Sequence, residues 1–339
     1  MRPEKVIEIK SAVVTLKPLD DGTLVLMDKR GVLRKVDVHS YKTIGGFKTN
    51  IEQERSWGNH MSLSATGRFA ACVIPSSNNA AVYDIEAKKL LYRTSRHKGD
   101  LESVCVDDND HYFVTGGTDG KTYVWSLDTG RLVYSFPPHS DYVTALEINN
   151  VWIASASYDK TISVLNLTTM KTPVRMIGHK SAVIQMKLLQ RMRMISMDKG
   201  GDIIIWDLRT SKPIQRFSKR NDEVTCFVVS EDERFLFVGT KPGHVSLYEI
   251  EKGEELKRSF LKEETKVTSL SLLGGENRLV VGTKSGRLSF YSLLPDETSL
   301  LQQLKNREQK KNFYQAQPKT ILLKNIYLEG LIFSHLNQV

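Results

Sequence analysis

The chain has 339 residues, 40% of them hydrophobic and 26% charged, and Lys plus Arg exceed Asp plus Glu by nine. This composition is ordinary for a soluble globular protein with enough chain to bury a core, which excludes a small scaffold held by staples. Three cysteines, Cys72, Cys105 and Cys226, each lie in an apolar run and read as small buried hydrophobes in a reducing compartment, excluding a disulfide frame or a zinc site.

The chain opens with Met1-Arg2-Pro3 and then Val6-Ile7-Glu8-Ile9, with no long apolar leader and no small-residue cleavage site. No later stretch approaches the roughly 18 apolar residues of a membrane-spanning helix. The expectation is a soluble, cytoplasmic protein.

From the first strand onward a unit recurs: an apolar strand, a tight polar turn, then a strand carrying an aromatic or apolar marker. The markers, in chain order, are Val36, Tyr83, Trp125, Leu165, Trp206, Tyr248 and Tyr291, spaced by 47, 42, 40, 41, 42 and 43 residues. Ahead of each stands an apolar residue of a preceding strand: Val13, Met61, Val104, Val143, Val183, Val224 and Val267. A further strand follows most markers, as in Leu132-Val-Tyr-Ser-Phe136 and Pro213-Ile-Gln-Arg-Phe217. Four short strands per unit, joined by turns rich in Gly, Asp, Asn and Lys, read as one blade of a radial all-β array, since stacked blades bury faces that a lone sheet would leave wet.

Trp125, Trp206-Asp207 and Gly178-His179 resemble the signatures of the WD-repeat β-propeller family, and the resemblance covers about 290 residues. It implies a buried tetrad of His, Ser or Thr, Asp and Trp in each well-formed blade. Blade three supplies His97, Thr115, Asp119 and Trp125. Blade four supplies His139, Ser155 and Asp159, with Leu165 in place of Trp. Blade five supplies His179, Ser196 and Trp206, with Gly200 where the Asp should stand and Asp198 displaced by two. The resemblance also implies closure by an N-terminal strand. Here Val6 to Ile9 is spare and no fourth strand follows Tyr291. The expected architecture is a seven-bladed propeller over residues 1–294, closed by residues 4–10, with a partly helical C-terminal extension over 295–339. The apolar run Ile321 to Phe333 in that extension suits helix or strand, and would cover the disc, dock a partner or form a homodimer.

Catalytic motifs are nearly absent. Gly116-Gly-Thr-Asp-Gly120-Lys121-Thr122 superficially resembles a phosphate loop, but Thr115 stands where that motif needs Gly, and the segment reads strand–turn–strand. The histidines fall where the repeat wants structural ones, so neither a metal nor a cofactor is expected. Asn166-Leu-Thr168 is a glycosylation sequon that carries meaning only in a secreted chain.

Charge is concentrated: residues 170–220 hold twelve basic and three acidic residues. The blade assignment puts Lys171, Arg191, Arg193, Arg209 and Lys212 on turns of one propeller face, and Lys180, Lys199, Lys219 and Arg220 on the other. This reads as a site for RNA, a site for an acidic protein surface, or a generic solubilising rim. Trp57, Tyr142 and Tyr158 stand in or beside loops and read as partner anchors or as caps on the blade ends. The expected function is a non-catalytic scaffold or adaptor for protein partners, an accessory or assembly factor of a larger complex. The alternative is an RNA- or ribonucleoprotein-binding propeller using blades four and five.

Overall fold

The computed structural model describes residues 2–293 except 20, 50, 52–60, 65, 75, 138, 170–171, 218–222 and 274–277. Among these, 28 strands form seven four-stranded sheets, and no helix occurs. Blades one to six are consecutive runs over residues 13–48, 61–95, 101–135, 143–177, 183–217 and 224–262. Blade seven consists of Val267–Leu273, Arg278–Thr283 and Arg287–Ser292, with Lys5–Glu8 as its outer strand. The closing pair is antiparallel, in the register Lys5 to Phe290 and Glu8 to Arg287. This compact unit spans Met1–Ser292. The expected extension over 295–339 lies outside the described residues.

Burial falls from axis to rim, and the sequence of each strand follows it. The inner strand Leu101–Val106 and the second strand Phe235–Thr240 are buried along their whole length, so both are nearly continuous in apolar or small residues. The outer strand Lys89–Ser95 is exposed at most positions and carries Lys89, Arg93 and Ser95. Apolar clusters lie between neighbouring blades. Met176, Val183, Met186 and Trp206 join blades four and five; Val13, Leu24, Leu26, Leu288 and Phe290 join blades one and seven. Each such side chain contributes about 1.5–3 kcal/mol on burial, so the ring closes on the same apolar force that stacks it.

The inner strands add a second device. In six blades the inner strand carries one extra residue against its partner: Val14, Glu102, Thr144, Ile184, Thr225 and Thr268. Such a bulge bends the strand and re-aims one side chain. The hydroxyls of Thr144, Thr225 and Thr268 thereby reach the next blade. Thr144 donates to the Val183 carbonyl, Thr225 to Val267 at 2.7 Å and Thr268 to Val13 at 2.6 Å. That last bond joins blade seven to blade one.

All three cysteines are buried and free, and burial pushes each thiol up to about 12. They are packing residues held as neutral thiols.

Candidate interaction face

Loops that precede the inner strands meet the turns between second and third strands on one face of the disc, called here the loop face. Three of these junctions are locked by the histidine networks. In blade three, His97 Nδ1 lies 2.8 Å from Asp119 Oδ1 and Nε2 lies 2.9 Å from Thr115 Oγ1, which also accepts Trp125 Nε1–H at 2.9 Å. In blade four, His139 lies 3.0 Å from Asp159 and 2.9 Å from Ser155, and buried Leu165 fills the indole position without a polar partner. In blade five, His179 lies 2.6 Å from Ser196, which accepts Trp206 Nε1–H at 2.7 Å. Each imidazole is held between a hydroxyl and a carboxylate, so every polar atom of the network is satisfied in the dry interior.

Blade five shows where the Asp198 carboxylate, displaced by two along the chain, is seated. Asp198 is not displaced out of the network: its Oδ2 lies 3.3 Å from His179 Nδ1, and its Oδ1 accepts the amides of Gly200 and Asp202 at 2.9 and 3.0 Å. The carboxylate arrives from the end of the strand rather than from the turn, two residues earlier in the chain but at the same point in space. Blade one uses the same device with a different partner. Asp28 Oδ1 accepts Arg30 N and Val32 N, and Oδ2 meets Arg34 at 2.8 Å. In blade seven Tyr291 donates to the buried Glu263 at 2.6 Å. The sequence reading missed Asp28, Arg34 and Glu263, because only the shared turn geometry shows their equivalence.

Burial lowers the His97 and His139 imidazoles below the ordinary value of 6.5, against the pull of Asp119 and Asp159. Burial also works to raise those carboxylates. Hydrogen bonds outweigh it: His97 and Lys98 hold Asp119 low, and Thr161 with His139 lowers Asp159 to about 2. The pairs are therefore neutral histidine with ionised aspartate.

Around the channel mouth of this face, one backbone hydrogen bond repeats in six blades, from the residue after the second strand to the residue before the inner strand. The pairs are Lys29 to Ala12, Thr118 to Asp100, Tyr158 to Tyr142, Lys199 to Ala182, Lys241 to Glu223 and Lys284 to Lys266, at 2.8–2.9 Å. Inner strands of neighbouring blades are in contact, with blades five and six joined through the Gln185 amide on the Phe227 backbone, so these twelve residues ring the axis. Exposed Tyr142 and Tyr158 stand side by side, ring centroids 6.4 Å apart, and Lys199 Nζ lies 5.7 Å from the Tyr158 centroid. Lys180 is exposed on the same face.

On the opposite face, Arg191 is exposed in the turn after the inner strand of blade five. Arg193 is spent on Glu233 at 3.1 Å, and Arg209 folds back on Asp207 at 3.2 Å. Lys212 begins an outer strand. The sequence grouped these four by charge, but two of the four have intramolecular counter-ions. Trp57, Lys171, Lys219 and Arg220 lie outside the described residues. Within the channel, Lys187 meets Glu147 at 3.3 Å and Lys17 donates to the Leu63 carbonyl at 2.8 Å. Among the described residues no three His, Cys, Asp or Glu side chains gather as metal ligands, and no helix is long and apolar enough to cross a membrane.

The family model "WD domain, G-beta repeat" matches residues 88–126 and 130–166. Each match starts on an outer strand and ends on the third strand of the next blade, so one repeat links two sheets. Among curated relatives, the chain is 27% identical over 161 residues to the U3 snoRNP-associated protein-like EMB2271 of Arabidopsis thaliana, covering 47% of this chain and 33% of the relative. It is 26% identical over 171 residues to the U3 small nucleolar RNA-associated protein 15 homolog of Xenopus laevis, covering 49% and 33%. The match thus spans about a third of the length of these curated relatives. A solved structure titled "Structure of U3-55K" superposes with a TM-score of 0.70 at 16% identity, covering 83% of this chain and 93% of that one, a likeness of fold. These comparisons overturn the cytoplasmic expectation, since the relatives are named for a small nucleolar RNA and its particle. Composition carries no signal for a compartment inside the cell. Two repeats matched in sequence, set in a closed ring of seven blades built alike, place this chain among the WD-repeat β-propellers.

Proposed function

We propose that the chain is a non-catalytic scaffold that holds the components of a larger assembly on its loop face, as an accessory or assembly factor. The observation that carries this reading is the mouth of that face, where exposed Tyr142 and Tyr158 stand beside Lys199 on turns locked by the histidine networks. Amphipathic aromatic rings held on a rigid frame with cations nearby are what partner hot spots are built from. The curated relatives support the reading at a coarser level, being named for association with a U3 ribonucleoprotein.

The test is purification of the tagged chain from native lysate beside a Tyr142→Ala, Tyr158→Ala, Lys180→Ala variant of equal melting temperature. A stoichiometric set of components should accompany the parent chain and be lost from the variant. Recovery of the same set by both proteins, or of none by either, would overturn the proposal.

A further inference from the structure

The lysines of the mouth are far apart in the chain, from Lys29 to Lys284, but Lys29, Lys199, Lys241 and Lys284 each stand two residues before a turn glycine, Gly31, Gly201, Gly243 and Gly286. The repeated backbone bond brings them to one track. Going round the ring, Tyr142 and Tyr158 stand on blade four, Lys199 on blade five, Lys241 with Glu223 on blade six, Lys266 and Lys284 on blade seven, and Lys29 on blade one. Side-chain electrostatics join the middle of this arc: Glu223 senses Lys241, Lys266 and Lys199, while Lys266 senses Glu223, Lys241 and Lys284. Lys241 Nζ meets Glu223 at 2.9 Å, so the one carboxylate among the ring residues of these three blades is engaged by Lys241. Burial holds the Lys266 ammonium below the usual lysine value, and Lys241 and Lys284 press the same way while Glu223 opposes them. Lysines brought onto one track on neighbouring blades favour an anion that spans several of them.

We infer that the mouth of the loop face is a single-stranded RNA site, in which the Tyr142–Tyr158 pair stacks bases and the lysine arc over blades five, six, seven and one tracks the phosphates. The inference rests on the loop face being the working face. Three features choose this ligand. Within the ring the cations are all lysines, point charges that suit a passing phosphate backbone, whereas carboxylates are recognised best by the two-pronged arginine fork. The tyrosine rings are tilted by 54° and not stacked on each other, so they do not consume each other's faces. Aromatic platforms adjoining a cationic track are the physical form of sequence-tolerant single-strand binding. The proposal also moves the nucleic-acid reading away from the basic residues of the opposite face, where Arg193 and Arg209 are already paired with Glu233 and Asp207.

The experiment uses the full chain and two labelled probes read by fluorescence anisotropy: an oligouridine of about 12 nucleotides, sized to a single-strand site, and a polyglutamate peptide of equal charge. Oligouridine should bind at low salt, and its affinity should fall as salt rises. In a Lys199→Gln, Lys241→Gln, Lys284→Gln variant the slope of log affinity on log salt should flatten by about 2, at about 0.7 for each phosphate no longer neutralised. Tyr158→Ala should weaken binding about tenfold. Arg191→Gln, Lys212→Gln on the opposite face should leave affinity unchanged. All variants alter exposed side chains, and unchanged melting certifies their folding. Polyglutamate binding as tightly as oligouridine, with no effect of Tyr158→Ala, would overturn the RNA inference and leave the loop face a site for acidic protein. Binding abolished by the Arg191 and Lys212 variant, or absent for both probes, overturns it as well, while the scaffold reading stands or falls on the lysate purification.

Discussion

Asp198 illustrates how a polar network is specified at the residue scale. Its two oxygens serve His179, Gly200 N, Asp202 N and Ser181 N, so one carboxylate fixes both the turn and the loop before blade five. Asp198→Ala should cost about 1–3 kcal/mol, because it leaves the buried His179 imidazole and three part-buried amides without their acceptor. Lys121→Ala, in the segment that resembles a phosphate loop, should be nearly silent. Equilibrium unfolding in urea measures both, and equal costs would mean that the blade-five network carries no stability. Acidity tests the same groups. The buried imidazoles of His97 and His139 stand below 6.5, so the unfolded chain takes up protons first. Their stabilisation is full above that value and declines as pH falls below it. Asp119, Asp159 and Asp198 stand below the ordinary 3.8, and their contribution is present above that value and lost as pH falls through the folded value, near 2 for Asp159. Melting temperature should therefore be level near neutrality, fall below about pH 6.5, and fall faster below about pH 4. A rise on mild acidification would show that the histidines are charged in the fold.

At the element scale, the bulged inner strand decides how blades communicate. The extra residue turns a side chain sideways, and where that residue is Thr its hydroxyl crosses to the next blade. Thr268→Val keeps the shape and removes the bond to Val13 across the ring closure. The expected loss is about 1–3 kcal/mol, since the buried Val13 carbonyl loses its partner. The same change at Thr225 should cost a similar amount, and hydrogen exchange should show faster opening at the junction of blades seven and one only for Thr268→Val, and at the junction of blades six and seven only for Thr225→Val. Tight turns complete the element. Gly120 adopts φ +72°, and a Cβ there would lie 2.4 Å from the His139 carbonyl oxygen. Blade three therefore needs glycine at the point where its turn meets the loop of blade four.

At the scale of the whole molecule, closure rests on Lys5–Glu8 pairing with Arg287–Ser292. Deleting residues 1–10 should expose that edge and cause aggregation, since an unpaired strand offers its hydrogen bonds to other chains. Deleting 296–339 should leave a folded, cooperatively melting disc that has lost a partner or its self-association. Size-exclusion chromatography and calorimetry of the two truncations distinguish these outcomes. If the C-terminal deletion unfolds the protein and the N-terminal one is harmless, the extension is part of the fold rather than an appendage.

The spacing of the repeat was sufficient for the blade count, and the family resemblance it carried pointed to the closing strand. The blade strands repeat at fixed spacing, and a strand buried on both faces must be apolar along its length. Asp198 was legible only as a displaced residue, and the Asp28–Arg34 and Tyr291–Glu263 pairs not at all, because an equivalent position in space was reached from a different position in the chain. The lysine arc was missed. Lys29, Lys199, Lys241 and Lys284 recur two residues before the turn glycines Gly31, Gly201, Gly243 and Gly286, a pattern the charge count passed over because it drew attention to residues 170–220, where several cations are neutralised by neighbours. Local spacing determines which strands form and in what order they stack. Only ring closure decides which turns come together at the channel mouth, because that depends on contacts between blades far apart in the chain.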